Sequence, residues 1–222
     1  MEADLGRAGK PDPDPADEVL VKRARDGDTA AFEELVARYE RRVYNLAYRY
    51  TGDREDASDL AQEAFLKAFL ALRGFRGRST FSTWLYRVTT NACLDAVRSR
   101  QRRRTVSLDQ PILTVDGQVE RQVSDSSVDP EELAQRREVQ AVVRQAIARL
   151  SPDHRMVLVL RDLQGLAYEE VAAILGLNLG TVKSRLNRAR LALRDLLAGT
   201  ELLAATGVYR PDRGAAGGGD AG

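Results

Sequence analysis

The sequence predicts an all-α protein of two small helical domains joined by an extended acidic linker. Apolar residues recur at steps of three and four along most of the chain, and strand-type alternation is nowhere sustained. Helix-capping signatures stand where helices should begin, at Asp53, Asp129-Pro130 and Ser151-Pro152. A stretch without aromatic residues separates the two helical halves, and such a long loop is improbable inside one compact domain.

The 222 residues divide into five parts. Prolines and acidic residues predict a disordered tail over residues 1–17, and glycines predict a flexible tail over 199–222. Between the tails we predict a first unit over 18–104, an acidic linker over 105–130 and a second unit over 131–198. Neither unit is large enough for a deep core, so each should be a modestly stable bundle.

The first unit should contain three helices. Apolar residues at helical spacing predict the first helix over Phe32–Tyr50. Asp53 can cap the second helix, and Gly74 stops it. The third begins near Ser82 and runs out into Arg98–Arg104, where five arginines in seven residues suit phosphate contacts.

The second unit should contain four helices. The capping signatures begin two of them, near Pro130 and Pro152, and two more are expected over Tyr168–Leu175 and from about Leu179 to Leu197. Ala167 stands where a capping Ser or Thr is expected, which costs about 1 kcal/mol of capping.

Composition excludes several classes of protein. The longest apolar run is Met156–Leu160, too short to span a bilayer, and the N-terminus lacks the apolar core of a signal peptide. With one cysteine and one histidine, the chain offers no disulfide, metal or cofactor site. Its 34 basic and 33 acidic residues give a net charge of +1, which argues against nucleic-acid binding only if charge is evenly spread.

The segment Tyr168–Arg190 has the pattern of a helix-turn-helix. Gly176 supplies the positive φ of the turn, and Val182 and Leu186 can pack back on the preceding helix. The other sides of the last helix carry donors that suit base edges and phosphates: Lys183, Ser184, Asn187, Arg188 and Arg190. A solvated basic face is the alternative, but the turn spacing favours DNA binding.

An acidic stripe follows the helix capped by Asp53. Asp56, Asp59 and Glu63 fall at steps of three and four, with Gln62 beside them. Charge runs are usually solvated faces. Like charges without basic partners on the same stripe repel one another, however, and a basic partner surface would relieve this.

The segment FRGRSTFSTWLYRVTTN, residues 75–91, interleaves aromatic rings with Arg76, Arg78 and Arg87. Rings stack on unpaired bases while arginines hold the backbone, so opened DNA is the expected ligand. Some of the rings must be core residues, but we expect at least one of them to be exposed.

Three ordered blocks closely resemble the extracytoplasmic-function sigma factors, the group IV branch of the sigma-70 family of bacterial RNA polymerase. The blocks are DREDASDLAQEAFLKAF, FRGRSTFSTWLYRVTTNACLD and YEEVAAILGLNLGTVKSRLNRAR. Their form is most similar to the RpoE/SigW-like branch. The resemblance implies a non-catalytic alternative sigma factor that binds core polymerase, recognises minus-thirty-five and minus-ten promoter elements and opens DNA.

The resemblance also assigns residues. The first unit resembles sigma region 2, whose acidic stripe docks on the clamp coiled coil of the beta-prime subunit: Asp56, Asp59, Gln62 and Glu63. The minus-ten element would be melted, and a flipped base trapped, by Phe75, Arg76, Arg78, Trp84, Arg87, Asn91 and Arg98. The second unit resembles region 4, with minus-thirty-five residues Thr181, Lys183, Ser184, Arg185, Asn187, Arg188 and Arg190.

Further partners are implied by the same resemblance. The acidic linker would thread the active-site cleft and RNA exit path of the polymerase, and the beta subunit is a further expected partner. A separate anti-sigma protein, anchored in the membrane, would regulate this cytoplasmic chain, and a role in a stress response is expected. No small-molecule substrate and no direct membrane insertion are expected.

Two other functions compete with this interpretation. A free-standing regulator with the same helix-turn-helix would bind duplex DNA alone, but it leaves the stripe and the aromatic segment unexplained. An enzyme acting on DNA needs converging acids or a nucleophile set, and pairs such as Glu33-Glu34 point different ways on a helix.

Overall fold

The computed structural model describes residues 15–106 and 130–198, with side chains over 17–99 and 134–198. Every regular element in these ranges is helical, which confirms the all-α class. Of the tails predicted over 1–17 and 199–222 and the linker predicted over 105–130, residues 1–14, 199–222 and 107–129 lie outside the described residues. Residues 105, 106 and 130 are helical, so the predicted linker is wrong at its two ends.

Four helices form the first unit. They are α1 (Pro15–Arg25), α2 (Thr29–Thr51), α3 (Arg54–Ala71) and α4 (Phe81–Val106), with a 3-10 turn over Leu72–Gly74. The start of α3 is the predicted one, because the Asp53 carboxylate accepts a hydrogen bond from the Asp56 amide at 2.9 Å. Gly52 ends α2 with a φ of +78°, the left-handed conformation that favours glycine.

Helix α1 was not predicted. The tail expected over residues 1–17 includes Asp17, but Asp17 lies in α1 and is buried. Its carboxylate accepts hydrogen bonds from the Tyr39 hydroxyl and, at 3.2 Å, from Arg38. The apolar side chains of Leu20, Val21 and Ala24 bury one face of the helix. The prolines masked this short helical pattern, although Pro15 stands at its first position, where proline is tolerated.

The second unit contains α5 (Pro130–Arg149), α6 (Pro152–Leu158), α7 (Tyr168–Leu175) and α8 (Leu179–Ala198). A π-helical turn, Val159–Leu163, continues α6 and was not predicted. The turn closes with a hydrogen bond from the Gln164 amide to the Val159 carbonyl at 2.9 Å. Ser151 caps α6 as expected, with its hydroxyl accepting from the His154 amide.

One of two apolar clusters spans both units. A first cluster of buried residues lies within the first unit and includes Leu35, Phe81 and Leu85. A second joins Tyr50, Tyr86 and Cys93 of the first unit to residues of the second, among them Met156, Leu160 and Val171. The sequence predicted two small bundles but not this shared cluster, because an apolar pattern identifies a buried face and not the residues that cover it.

Candidate nucleic-acid interface

Three rings of the aromatic segment pack against one another. The ring centroids of Phe75 and Trp84 lie 5.2 Å apart, and those of Phe81 and Trp84 lie 5.7 Å apart. Phe75 and Phe81 are buried, whereas Trp84 is half-buried. The ring of Phe75 belongs to the apolar cluster of the first unit and lies 6.3 Å from that of Phe81, between ring centroids. Trp84 is the ring that solvent reaches.

An open cavity of about 290 Å³ lies beside these rings. Its lining combines aromatic walls with guanidinium groups: Phe75, Trp84, Arg76, Arg78 and Arg87. A planar base could stack on such walls while the arginines contact the adjoining phosphates. The structure thus brings together five of the seven residues predicted for the minus-ten element.

The other two predicted minus-ten residues lie apart from this cavity. Asn91 is exposed further along α4 and does not line it. Arg98 is exposed beyond Asn91, and its guanidinium approaches the Asp95 carboxylate at 3.9 Å. They extend the polar surface along α4 rather than completing the cavity.

Thr80 positions the start of α4, a role the sequence did not reveal. Its hydroxyl accepts from the Thr83 amide at 3.2 Å, and its carbonyl accepts from the Trp84 amide at 3.1 Å. The Thr83 hydroxyl lies 2.8 Å from the Thr80 hydroxyl. These bonds satisfy amides at a helix start and hold Trp84 in place. The Ser-Thr pair before Phe81 was the available signal for this cap.

Arg87 also contacts the second unit. Its Nη2 donates a hydrogen bond to the carbonyl oxygen of Ala173 in α7 at 2.8 Å. One predicted minus-ten residue is therefore engaged with the helix-turn-helix unit. Nothing in the sequence pattern indicated this contact.

The helix-turn-helix forms as predicted. Gly176 takes a φ of +65° between α7 and α8, and the Leu177 amide donates to the Ala172 carbonyl at 3.0 Å. Val182 and Leu186 are buried under α8. The sequence missed Asn178 as the residue that caps α8: its side-chain oxygen accepts from the Thr181 amide at 2.7 Å.

The predicted minus-thirty-five residues separate into two groups. Four side chains are exposed on α8, and none of them has an ion pair with another described residue: Lys183, Ser184, Asn187 and Arg188. Thr181 is half-buried beside them, and its carbonyl accepts from the Ser184 hydroxyl. Arg185 lies 3.3 Å from the Asp153 carboxylate, and Arg190 pairs with Asp162 at 2.6 Å. The first group offers donors to a groove, and the second ties α8 to α6 and the π-turn.

The weak cap at Ala167 is partly compensated. Ala167 has no side-chain oxygen, but its amide donates to the Glu170 carboxylate at 2.7 Å. This is one half of a capping box, with the acidic side chain also at the positive end of the helix. Helix α7 accordingly begins at Tyr168.

Tyr168 is a further functional candidate that the sequence did not single out. The guanidinium carbon of Arg161 lies 4.6 Å from its ring centroid, and the Lys183 ammonium lies 5.8 Å from it. Two cations on one ring concentrate positive potential at the start of α7. This surface adjoins the exposed donors of α8, because Lys183 belongs to both.

The acidic stripe lies on α3, with Asp59, Gln62 and Glu63 exposed and Asp56 half-buried. The Glu63 carboxylate pairs with Lys67 at 2.7 Å, so the expectation of a stripe without basic partners is wrong. The i, i+4 spacing was visible in the sequence. Asp59 and Gln62 still present a polar edge to solvent.

An exposed apolar patch continues the stripe toward the end of α3. Leu66 is 60%, Phe69 43% and Leu70 71% exposed. Beside the stripe, a groove of about 480 Å³ between α2 and α3 is lined by Val36, Tyr44, Gln62 and others. An exposed apolar patch next to a polar stripe is typical of a protein-protein interface.

No helix in the described part of the chain combines the length and hydropathy needed to cross a membrane.

Family models match both units. The model of Sigma-70 region 2 matches residues 35–103, and that of Sigma-70, region 4 matches residues 140–193. Together the matches span both candidate interfaces, from the acidic stripe to the helix-turn-helix.

Relatives align along most of the chain. The RNA polymerase sigma-H factor of Pseudomonas aeruginosa is 39% identical over 184 residues, covering 82% of this chain and 93% of the relative. The ECF RNA polymerase sigma-E factor of Escherichia coli K12 is 41% identical over 177 residues, covering 80% and 92%.

Two solved structures share the fold. One is the sigma factor RpoE in complex with the anti-sigma factor NepR from Bartonella quintana, with a TM-score of 0.59 and 27% identity over 76% of this chain and 97% of that one. The other is CnrH in complex with the cytosolic domain of CnrY, with a TM-score of 0.58 and 29% identity over 83% and 99%.

Proposed function

Since this chain belongs to the extracytoplasmic-function sigma factors and is an alternative sigma factor for transcription initiation, we propose a specific division of labour among its surfaces. The acidic stripe and the apolar patch of α3 bind core polymerase, the aromatic cavity holds an unpaired promoter base, and α8 reads duplex DNA. The protein acts as a non-catalytic specificity subunit. The observation that carries this assignment is the cavity, where three arginines meet two rings.

The aromatic cavity supports binding of opened rather than paired DNA. A duplex hides base faces, so a site walled by Phe75 and Trp84 gains little from it, whereas a flipped base can stack there. Arg76 and Arg78 are exposed at its rim, where they can contact phosphates without being desolvated. We assign the minus-ten element to this cavity.

The exposed donors of α8 support reading of the minus-thirty-five duplex. Lys183 and Arg188 suit guanine edges or phosphates, and Asn187 suits adenine. Arg185 and Arg190 act mainly as positioning residues, since their guanidinium groups already pair with carboxylates of the same unit.

The surface of α3 supports docking on a basic, partly apolar partner. Asp59, Gln62 and Glu63 provide the polar edge, and Leu66 and Leu70 provide apolar area that water now covers. We assign this surface to the clamp coiled coil of the beta-prime subunit, with the beta subunit contacted by the linker.

An anti-sigma protein is the proposed regulator. The solved neighbour RpoE is a sigma factor in complex with the anti-sigma factor NepR, which supports a partner of the same kind here. The chain would then act in the cytoplasm, free or held at the membrane by that partner.

In vitro transcription tests the assignment as a whole. The purified chain is mixed with core polymerase and a genomic promoter library, and the transcripts are sequenced. Initiation at defined sites that depends on both proteins is expected. Sequence-specific duplex binding by the chain alone, without transcription, would instead favour a free-standing regulator.

A further inference from the structure

The ring of Tyr168 connects three elements of the second unit. Tyr168 is the first residue of α7, is half-buried and packs against the apolar cluster that spans both units. The guanidinium carbon of Arg161, in the π-turn, lies 4.6 Å from its ring centroid, and the ammonium of Lys183, in α8, lies 5.8 Å from it. A cation within about 6 Å of a ring centroid is attracted by the ring. The π-turn, α7 and α8 therefore meet at one aromatic side chain.

The two cations differ in how firmly they are held. Arg161 has a second anchor, because its Nη1 donates a hydrogen bond to the Leu166 carbonyl at 2.8 Å. Lys183 is exposed, and no ion pair joins it to another residue in the described part of the chain. Of the two cations, Lys183 is therefore the one whose position depends on the Tyr168 ring.

The ring draws the Lys183 ammonium toward the first helix of the motif. Residues near the start of a recognition helix usually contact base edges, whereas the first helix crosses the phosphate backbone. Lys183 is near the start of α8, yet its ammonium lies beside the residue that begins α7. When α8 lies in the major groove, this arrangement places the ammonium at the backbone and not at a base edge.

Arg161 strengthens the preference of this position for an anion. Two cations that share one ring repel each other, and a phosphate beside them offsets that repulsion. A phosphate oxygen also accepts hydrogen bonds from an ammonium whatever the base sequence. The surroundings of Lys183 therefore suit a contact that contributes affinity without sequence information.

The hydroxyl of Tyr168 has a different neighbour from the ring. The Asp162 carboxylate and, to a smaller extent, the Tyr168 hydroxyl raise the pKa of Arg190. The hydroxyl thus affects the paired arginine of α8, while the ring affects Lys183. Substitutions can separate the two effects.

We propose that Tyr168 is a positioning residue for promoter binding, whose ring holds the Lys183 ammonium at the phosphate backbone of the minus-thirty-five duplex. This inference rests on the proposed function, because it divides roles within the DNA-binding face of α8. Sequence discrimination then belongs to the other exposed donors of that helix, Ser184, Asn187 and Arg188. Holding a flexible lysine in place before binding reduces the entropy that is lost on binding.

Fluorescence anisotropy tests the positioning role, with a labelled minus-thirty-five duplex titrated with holoenzyme. Tyr168→Leu keeps apolar burial but removes the ring, and it should weaken binding about two- to five-fold. Tyr168→Phe keeps the ring and removes the hydroxyl, and it should bind like the wild-type chain. Urea unfolding checks the fold of both variants. Equal losses in the two variants would assign the effect to the hydroxyl and overturn the proposal.

A double-mutant cycle tests whether the ring acts through Lys183. In a Lys183→Ala background, Tyr168→Leu should cause no further loss of affinity, since Arg161 keeps its hydrogen bond to Leu166. In an Arg188→Ala background, which is the matched control, Tyr168→Leu should again weaken binding about two- to five-fold. An undiminished loss in the Lys183→Ala background would refute a role that depends on Lys183.

Base substitutions and salt distinguish a phosphate contact from a base contact. Lys183→Ala should weaken binding to the original and to base-substituted duplexes by equal factors, and it should lower the slope of log affinity against log salt by about 1. The combined change Asn187→Ala and Arg188→Ala should instead reduce the preference for the original duplex. If Lys183→Ala reduces that preference, the ammonium reads bases and the proposal is wrong.

The behaviour of the wild-type chain separates this inference from the proposed function. If its holoenzyme binds every duplex equally well, the proposed reading of the minus-thirty-five element fails, and this inference fails with it. If the holoenzyme discriminates among duplexes but Tyr168→Leu binds like wild type, the inference alone fails.

Discussion

Arg190 and Asp162 are joined by two hydrogen bonds, from Nε to Oδ2 at 2.9 Å and from Nη2 to Oδ1 at 2.6 Å. The fork of the guanidinium matches the carboxylate, and the hydrogen bonding of Arg190 to the Asp162 carboxylate raises the pKa of Arg190 above its ordinary value. The pair ties α8 to the π-turn. The exposed guanidinium of Arg190 is therefore paired with a carboxylate of the same unit, unlike the charged groups of Lys183 and Arg188 on the same helix.

Arg190→Ala should weaken binding of minus-thirty-five duplex less than about two-fold. The side chain orients α8 instead of reading bases, and an exposed pair contributes less than about 1 kcal/mol to stability. Asp162→Asn should have the same small effect. Fluorescence anisotropy of a labelled minus-thirty-five duplex measures binding to the holoenzyme, and urea unfolding of the chain measures stability. A ten-fold loss in Arg190→Ala with no effect of Asp162→Asn would identify a direct contact to DNA.

Replacing Lys183 and Arg188 by Ala should abolish protection of the upstream promoter element. Both are exposed donors, and loss of two phosphate or base contacts lowers the slope of log affinity against log salt by up to about two. Footprinting across a salt series measures this. Arg149→Ala, also exposed but on α5, serves as control. Full protection in the double variant would place the reading face elsewhere on α8.

Charge reversal at Asp59 and Glu63 should weaken core polymerase binding about ten-fold or more. The substituted side chains would repel a basic docking surface, and Glu63→Arg would also repel Lys67. A pull-down with core polymerase measures the change, and circular dichroism checks that the fold is kept. Glu33→Arg on α2 is the matched reversal, and equal losses in it and the double variant would refute the docking assignment.

Trp84→Ala should impair strand opening more than initial promoter binding. The half-buried ring forms a wall of the cavity, and stacking on an unpaired base contributes about 1–3 kcal/mol. Permanganate reactivity of unpaired thymines reports opening, and footprinting reports binding. Trp84→Phe should retain most of the opening. Parallel loss of both signals would point to a packing role for the ring against Phe75 and Phe81.

Stability should fall as pH rises above about 9. Burial raises the pKa of the Cys93 thiol from 9.0 to about 12, and that of Tyr50 from 10.0 to about 12. Between these values the unfolded chain releases protons that the folded chain keeps, so the free energy of unfolding decreases with pH.

Removing the thiol isolates its share of that slope. Cys93→Ala should reduce the pH dependence by at most about 1.4 kcal/mol per pH unit between pH 9 and 12. Urea unfolding at several pH values measures it. Identical slopes in wild type and variant would show that the thiol titrates normally in the folded chain.

Most of the helices could be predicted because their determinants are local. Helix ends depend on nearby backbone at the Asp53 cap, at Pro130 and Pro152, and at Gly176. The spacing of apolar residues predicted the helices between these ends. Helix α1 was missed because it is held by a contact distant in sequence, from Asp17 to Tyr39.

The residue types of the candidate site could be predicted from the sequence, but the burial and ion pairing of its side chains could not. Five of the residues predicted for the minus-ten element line one cavity. Phe75 is buried and Arg190 is paired, however, since both outcomes depend on tertiary neighbours. The contacts between Arg87 and Ala173 and between Arg49 and Leu163 use backbone carbonyls, which every residue possesses. A pattern of side-chain types therefore cannot predict which carbonyl accepts such a hydrogen bond.

The apolar cluster that spans both units makes their stabilities interdependent. Leu160 and Val171 of the second unit pack in the same cluster as Tyr50 and Tyr86 of the first, so truncating either side chain removes apolar burial that both units share. The two units should therefore unfold in one cooperative transition rather than two.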